Sequence, residues 1–300
     1  MREESASAHP EPRAVHAQAE VCTQEPLGWF NDATFARASA TSSRARATEK
    51  LRVIVFNLAP GVPFSQTQRL ALLRMLLSQL LSRVPSVLLL PAGFFGFRFM
   101  ADKCWDWEWT ADYTPEELRA ELHALIVNMH TSFALAVGVD VTDDDQRQWW
   151  FAGGIGFVRE IRRSGRGRRA TALKDRIVHH AGFTLLGFVC GEFYEWLEGE
   201  LIEALDAHHV DLLLVSAHKK VNRVDDRKVS PHYKRWAFQR RFQAISPYCG
   251  AALAQARGFD DRYVRNCDDW FVHRSGDPFP GRRVGQPFFG SSDTAHNNAR

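Results

Sequence analysis

Two capping boxes constrain the architecture of this chain more tightly than any other feature of its sequence. Ser65 with Gln68 and Thr114 with Glu117 each place an oxygen-bearing side chain where it can satisfy the free N–H groups of a helix start. The first is followed by Leu70, Leu73, Leu77, Leu80, Leu81 and Val84, the second by Leu118, Leu122, Leu125 and Met129. These spacings put one apolar stripe on each helix and predict helices over about 66–83 and 115–130.

Short apolar runs stand on either side of these helices. Leu51 to Phe56, closed by Pro60, Gly61 and Pro63, reads as a buried strand, as do Val87 to Leu90 and Ser132 to Val141. Asp143 to Asp145 is a turn, and Gln148 to Val158 is a further strand leaving it, so this pair reads as a hairpin. Beyond it come an apolar strand from Phe183 to Cys190, a helix from Tyr194 to Leu205 and a strand from Val210 to Ser216. A helix over 233–246 and strands near 250–256 and 269–274 complete the series. Strands alternating with helices, with a hairpin among them, imply an α/β fold with a mixed sheet rather than a purely parallel barrel.

Composition narrows the class. A hydrophobic content of 45%, with 21 Phe and 9 Trp, excludes disordered, collagenous and disulfide-scaffold chains and requires a large core. Residues 1–48 are rich in Ala, Ser, Glu, Arg and His and read as a flexible leader, leaving 49–300 as one domain. A net charge of +3 is too small to predict nucleic-acid binding. The five cysteines (Cys22, Cys104, Cys190, Cys249, Cys267) are odd in number and contain no CxxC pair, so neither a disulfide framework nor a structural zinc is expected and a reducing cytoplasm fits. No apolar run reaches the roughly 20 residues that cross a bilayer, and the start lacks the apolar stretch of a signal peptide.

The sharpest chemical feature is Leu185-Leu186-Gly187-Phe188-Val189-Cys190-Gly191-Glu192-Phe193. A buried strand delivers a cysteine to its C-terminal end just ahead of a helix, where the helix dipole would favour a thiolate. One more buried cysteine is the alternative. Six arginines between Arg159 and Arg169, with Ser164, Gly165 and Gly167, form a basic loop that is either solvated or a contact for phosphates. The pairs His179-His180 and His208-His209 are adjacent rather than three or four apart, so no metal site is expected. Cys104-Trp105-Asp106-Trp107-Glu108-Trp109 alternates aromatic and acidic residues and suits a pocket rim or a partner contact.

Cys190-Gly191-Glu192 after an apolar strand resembles the nucleophile motif of the nitrilase (carbon–nitrogen hydrolase) superfamily, a Cys, a variable residue, then Asp or Glu. Leu51 to Asn57, Val87 to Pro91, Ala136 to Val139, Val210 to Val215 and Ala251 to Ala256 fall in that family's strand order, covering roughly 50–275. The resemblance implies an α-β-β-α sandwich with mixed sheets, self-association, no cofactor, and a Glu–Lys–Cys triad acting on a small amide or nitrile. Carried over residue by residue, Cys190 is the nucleophile. The glutamate position after Pro91 is occupied by Ala92, which cannot move protons. Lys174 is the only lysine between the hairpin and Cys190, with Arg162 and Arg163 as alternative cations; an arginine could hold an oxyanion but not titrate near neutrality. Glu192 and Glu160 are the nearby acids, in a catalytic or an orienting role. Two functions follow as expectations: hydrolysis of a C–N bond through a Cys190 thioester, or a lapsed enzyme that keeps the fold to bind a metabolite or partner.

Overall fold

The computed structural model describes residues 28–38, 48–58, 65–80, 84–97, 112–142, 145–163, 173–189, 192–195, 198–219, 244–245, 248–257, 272–273 and 286–288. Both capping boxes are formed. Ser65 opens α1 (Gln66–Gln79) and Thr114 opens α2 (Pro115–Val127), each oxygen accepting from the backbone N–H three residues on while the Gln68 or Glu117 side chain returns the bond.

The strands are β1 (Gly28–Ala38), β2 (Thr48–Leu58), β3 (Ser86–Leu89), β4 (Phe95–Gly96), β5 (Phe133–Asp140), β6 (Gln146–Ala152), β7 (Gly156–Arg162), β8 (Ile177–His180), β9 (Phe183–Val189), β10 (Leu212–Lys219), β11 (Gly250–Arg257), β12 (Val272–His273) and β13 (Gln286–Phe288). Two further helices, α3 (Glu192–Glu195) and α4 (Glu198–Ala207), follow β9. The main strand order is β7-β6-β5-β3-β2-β11-β10-β9-β8. β2, β3, β5, β9, β10 and β11 are parallel along this path, and the hairpin strands β6, β7 and β8 are antiparallel to their neighbours.

One register pair, Ala256 with Leu58, joins β11 to β2, and the two halves of the sheet fold face to face about that seam. The packing shows the layers. Alternate residues of both halves, among them Val53, Val55, Val87, Leu89, Ala134, Ala136, Leu185, Leu212, Leu214, Ala252 and Ala254, form one buried inner layer. The opposite faces carry the helices: α1 and α2 pack their leucines on β2, β3, β5 and β6, while Leu201 and Leu205 of α4 pack on β9, β10 and β11. Helix, sheet, sheet and helix are stacked in that order, so the fold is an α-β-β-α sandwich.

Several elements differ from expectation. Residues 28–38, read as part of the leader, form β1, which pairs with all of β2 and, through Gly28, Trp29 and Phe30, with β13. Phe30 packs on Phe56 with ring centroids 5.3 Å apart. The polar content of Asn31 to Arg37 had hidden this strand. The expected single strand over 148–158 is two strands, because Gly154 and Gly156 take positive φ (74° and 82°) and turn the chain after Ala152. The start of the basic loop is also strand: β7 runs through Arg162. The helix expected over 194–205 is carried by α3 and α4, and β8 adds a strand with no expected counterpart. Apart from Ala244 and Ile245, the helix over 233–246 lies outside the described residues, as do Cys104 to Trp109.

Candidate functional site

The six parallel strands end at the same edge of the sandwich, the position where open α/β sheets place their ligands. Along the inner layer, polarity rises toward that edge. On β5 the inward positions run Ala134, Ala136, Gly138, Asp140; on β10 they run Leu212, Leu214, Ser216, His218; on β2, Val53 and Val55 lead to Asn57. β6 runs the other way, and there Trp150 leads to Gln148 and Gln146. All of these except His218 are buried residues, and the His218 side chain is itself enclosed.

At the polar end the two half-sheets meet through a carboxylate and an imidazole. His218 Nε2 lies 2.7 Å from Asp140 Oδ2, with the side chains 6% and 7% exposed. That contact requires a proton on Nε2, which donates to the carboxylate. The second carboxylate oxygen, Oδ1, is buried and has no hydrogen-bond partner among the described residues. The turn after β3 closes over this pair. Phe94 N–H donates to the Pro91 carbonyl at 3.2 Å, and Gly93 takes φ +63°. A methyl group on Gly93 would sit 2.6 Å from His218 Nε2 and 3.0 Å from Asp140 Oδ2, so only glycine lets the backbone approach this closely. Gly138 does the same beneath Ala92, whose Cα would collide with any side chain there. Ala92 is completely buried.

One layer deeper, a chain of hydrogen bonds ties the half-sheets. Trp150 Nε1 donates to Gln148 Oε1 (2.9 Å), Gln148 Nε2 donates to Ser216 Oγ (2.9 Å), and Ser216 Oγ donates to the Leu90 carbonyl (2.8 Å). Gly187 on β9 leaves the room that the Gln148 amide occupies. Each buried polar group here has a partner, which is what makes a polar layer tolerable inside a sandwich.

Cys190 and Gly191 lie outside the described residues. Val189 ends β9 in register with Ser216 of β10, and Glu192 opens α3. Glu192 is fully buried. Its Oε2 accepts from Val189 N–H at 3.1 Å and from Arg176 Nη1 at 2.7 Å, while Oε1 accepts from Arg176 Nη2, also at 2.7 Å. Arg176 Nη2 donates in addition to the Arg162 carbonyl at 2.8 Å, and its guanidinium lies over the Phe188 ring. Arg176, which no local motif marks, thus touches Phe188 before Cys190 in the sequence and Glu192 after it.

The other expected site residues fall elsewhere. Lys174 is exposed in a short 3-10 turn (Lys174–Arg176). Glu160 lies on β7 in a cluster with Arg147, Arg162 and Trp149, which donate to it at 2.9, 2.6 and 3.0 Å. Arg163 donates to Gln146 Oε1 at 2.9 Å. His180 is buried against the Ser132 carbonyl, and burial lowers its affinity for a proton. Among the described residues no three His, Cys, Asp or Glu side chains are grouped to hold a metal ion, and no helix is long and apolar enough to cross a membrane. His218 lies two residues past the expected strand end at Ser216, on the same face by alternation, whereas Asp140 falls within the expected strand Ser132 to Val141 and no local motif marks it.

No family model and no curated protein matches this sequence. Among solved structures, it is similar to an amidase variant from Nesterenkonia sp. AN1 carrying the product of Michael addition of acrylamide at its active-site cysteine. Identity is 14%, with 76% of this chain and 87% of that chain covered and a TM-score of 0.46. Another variant of that amidase, described as from the nitrilase superfamily, is 12% identical over 76% and 84%, with a TM-score of 0.41. A carbon-nitrogen hydrolase from Helicobacter pylori G27 is 11% identical over 65% and 70%, with a TM-score of 0.43.

Proposed function

We propose that this chain is a hydrolase that cleaves a C–N bond in a small amide or related compound through a thioester on Cys190. The observation that carries this reading is the convergence at one edge: β9 ends at Val189 in register with β10, whose His218 meets the buried Asp140 carboxylate. Cys190 follows Val189 directly in the sequence, and this reading takes the Asp140–His218 pair as its proton-moving partner. In the reaction the Cys190 sulfur would bond to the amide carbon, the C–N bond would break, and the thiol proton would leave with the amine. Water would then add to the thioester, and the carboxylic acid and free thiol would be regenerated. Glu192 acts here as a positioning group through Val189 and Arg176. Lys174 or a nearby arginine remains the proposed cation for the oxyanion, and a homo-oligomer is part of the proposal.

Ala92 and the exposure of Lys174 favour a second reading, in which the fold binds a metabolite or partner without turnover. Ammonia release from a panel of short aliphatic amides and nitriles separates the two. The hydrolase reading predicts release by the wild type that is abolished in Cys190→Ser. Saturable amide binding without release, equal in both proteins, would favour the binding reading.

A further inference from the structure

We propose that His123 and His130 form a proton-operated latch, which holds the turn between β6 and β7 against the end of α2 while both rings are neutral and releases it when they take up a proton. The turn is closely seated. Gly153 N–H donates to the Phe133 carbonyl at 2.8 Å and Gly154 N–H to the Val127 carbonyl at 3.1 Å, and a side chain on Gly153 would stand 2.0 Å from the His130 carbonyl oxygen. Just past the turn, Phe157 N–H donates to His123 Nδ1 at 3.0 Å. Gly156, at φ +82°, makes that approach possible, since a methyl there would lie 2.2 Å from the same nitrogen. In the connection from α2 to β5, which the turn rests on, Ser132 N–H donates to His130 Nδ1 at 3.1 Å, and Ser132 Oγ lies 2.6 Å from that atom.

Each Nδ1 accepts from a backbone N–H, so it carries a lone pair and the ring proton sits on Nε2. A proton on Nδ1 removes the acceptor and sets two donors against each other. Both residues are exposed, so solvent protons reach them without any opening of the fold. The charge nearest to His123 on its own helix works in the same direction. Arg119, one turn earlier on α2, holds its guanidinium over the Phe157 ring at 5.1 Å, and a second cation four residues on is unfavourable. Of the α2 carboxylates, Glu117 is engaged in the capping box, Glu121 is paired with Arg74 of α1 at 3.6 Å, and Glu116 lies two turns away. On the hairpin, Arg147 donates to Glu160 at 2.9 Å and Arg159 donates to the Asp175 carbonyl at 2.8 Å. Around His130, Thr131, Ser132, Gly153 and Gly154 bring no charge. His180 is the third histidine of this junction, with the opposite role. It donates through Nε2 to the Ser132 carbonyl at 3.1 Å, and burial lowers its affinity for a proton, so it stays neutral and anchors Ser132 while the exposed pair titrates.

Hydrogen exchange of the folded full-length chain, corrected for the intrinsic pH dependence of amide exchange, reads both bonds. From about pH 7.5 to about pH 5.5, within the interval where histidine side chains change charge, the protection of the Phe157 and Ser132 amides should fall. The expected loss is about three- to tenfold relative to the Leu213 amide of β10, the worth of one hydrogen bond. Asparagine places Oδ1 where histidine has Nδ1, and it does not titrate. His123→Asn should therefore keep Phe157 protected at the lower pH and leave Ser132 pH-dependent, and His130→Asn should do the reverse. A fall that persists in the matching asparagine variant, or that is absent from the wild type, overturns the latch. The ring nitrogens of the wild type give a reading that depends on no variant folding. Their chemical shifts should report Nε2–H on both rings at neutral pH, and Nδ1–H on either ring would overturn the latch at that histidine.

Discussion

Arg176 and Glu192 form a two-pronged ion pair in the interior, both contacts 2.7 Å long and the side chains only 3% and 0% exposed. Removing one partner leaves a buried charge unpaired, which costs about 3–5 kcal/mol. Arg176→Met and Glu192→Leu should each lose stability of that order in urea titrations. The double variant should recover part of the loss, because the two apolar side chains leave no charge behind. If the two losses simply added, the pair would not be acting as one unit.

Gly93→Ala tests the close approach of the turn to the Asp140–His218 pair. The positive φ alone costs about 1–3 kcal/mol for a residue with a side chain, and the methyl would press on His218 Nε2. Folded Gly93→Ala should therefore lose amide hydrolysis far more than stability requires. An unchanged kcat would mean that the pair does not need its observed placement.

Ser216→Ala breaks the bridge between Gln148 and the Leu90 carbonyl. It leaves a buried donor and a buried acceptor without their partner, and about 1–3 kcal/mol of destabilisation is expected. Ser216→Cys, which restores a weak donor at nearly the same volume, should lose less. Equal losses would point to packing rather than hydrogen bonding.

Acid sensitivity should reside partly in the hairpin of β6 and β7. The hydrogen bond from Arg147 holds the Asp145 carboxyl below the usual range. Burial alone would push Glu160 up, but the bond from Arg162, the Arg147 charge and the bond from Trp149 outweigh it and hold it low as well. Carboxyls that ionise more readily in the folded chain contribute stability above the ordinary carboxylate range, about pH 4, and lose it as pH falls through their lowered folded values. Arg147→Met should flatten the acid limb of a urea-midpoint profile between neutrality and pH 3. A limb parallel to the wild type would place the acid sensitivity elsewhere.

Local signals made the layers of this fold legible in the sequence. Ser65, Gln68, Thr114 and Glu117 act within one helical turn, so their meaning does not depend on the rest of the chain. The runs Val87 to Leu90, Phe183 to Cys190 and Val210 to Ser216 are apolar enough to be read as buried strands. β1 was hidden because pairing with β2 and β13 is decided by residues far away in sequence, while Asn31, Asp32 and Arg37 made the segment look polar. The same limit applied at the site. The sequence marked Cys190 and Glu192 through a local motif, but Arg176 with Glu192 spans 16 residues and Asp140 with His218 joins strands from opposite half-sheets. No period or spacing encodes those meetings.

Graded-pH alkylation of the folded wild type, read cysteine by cysteine, tests the central claim most directly. Cys249 provides the internal reference, since burial, with the nearby Asp211 charge, pushes its thiol up to about 12. The account predicts that Cys190 is modified first, with an apparent pKa well below the roughly 8.5 of a free thiol, while Cys249 reacts only after unfolding. A Cys190 that titrates at or above the free-thiol value, or reacts no faster than Cys249, would contradict it.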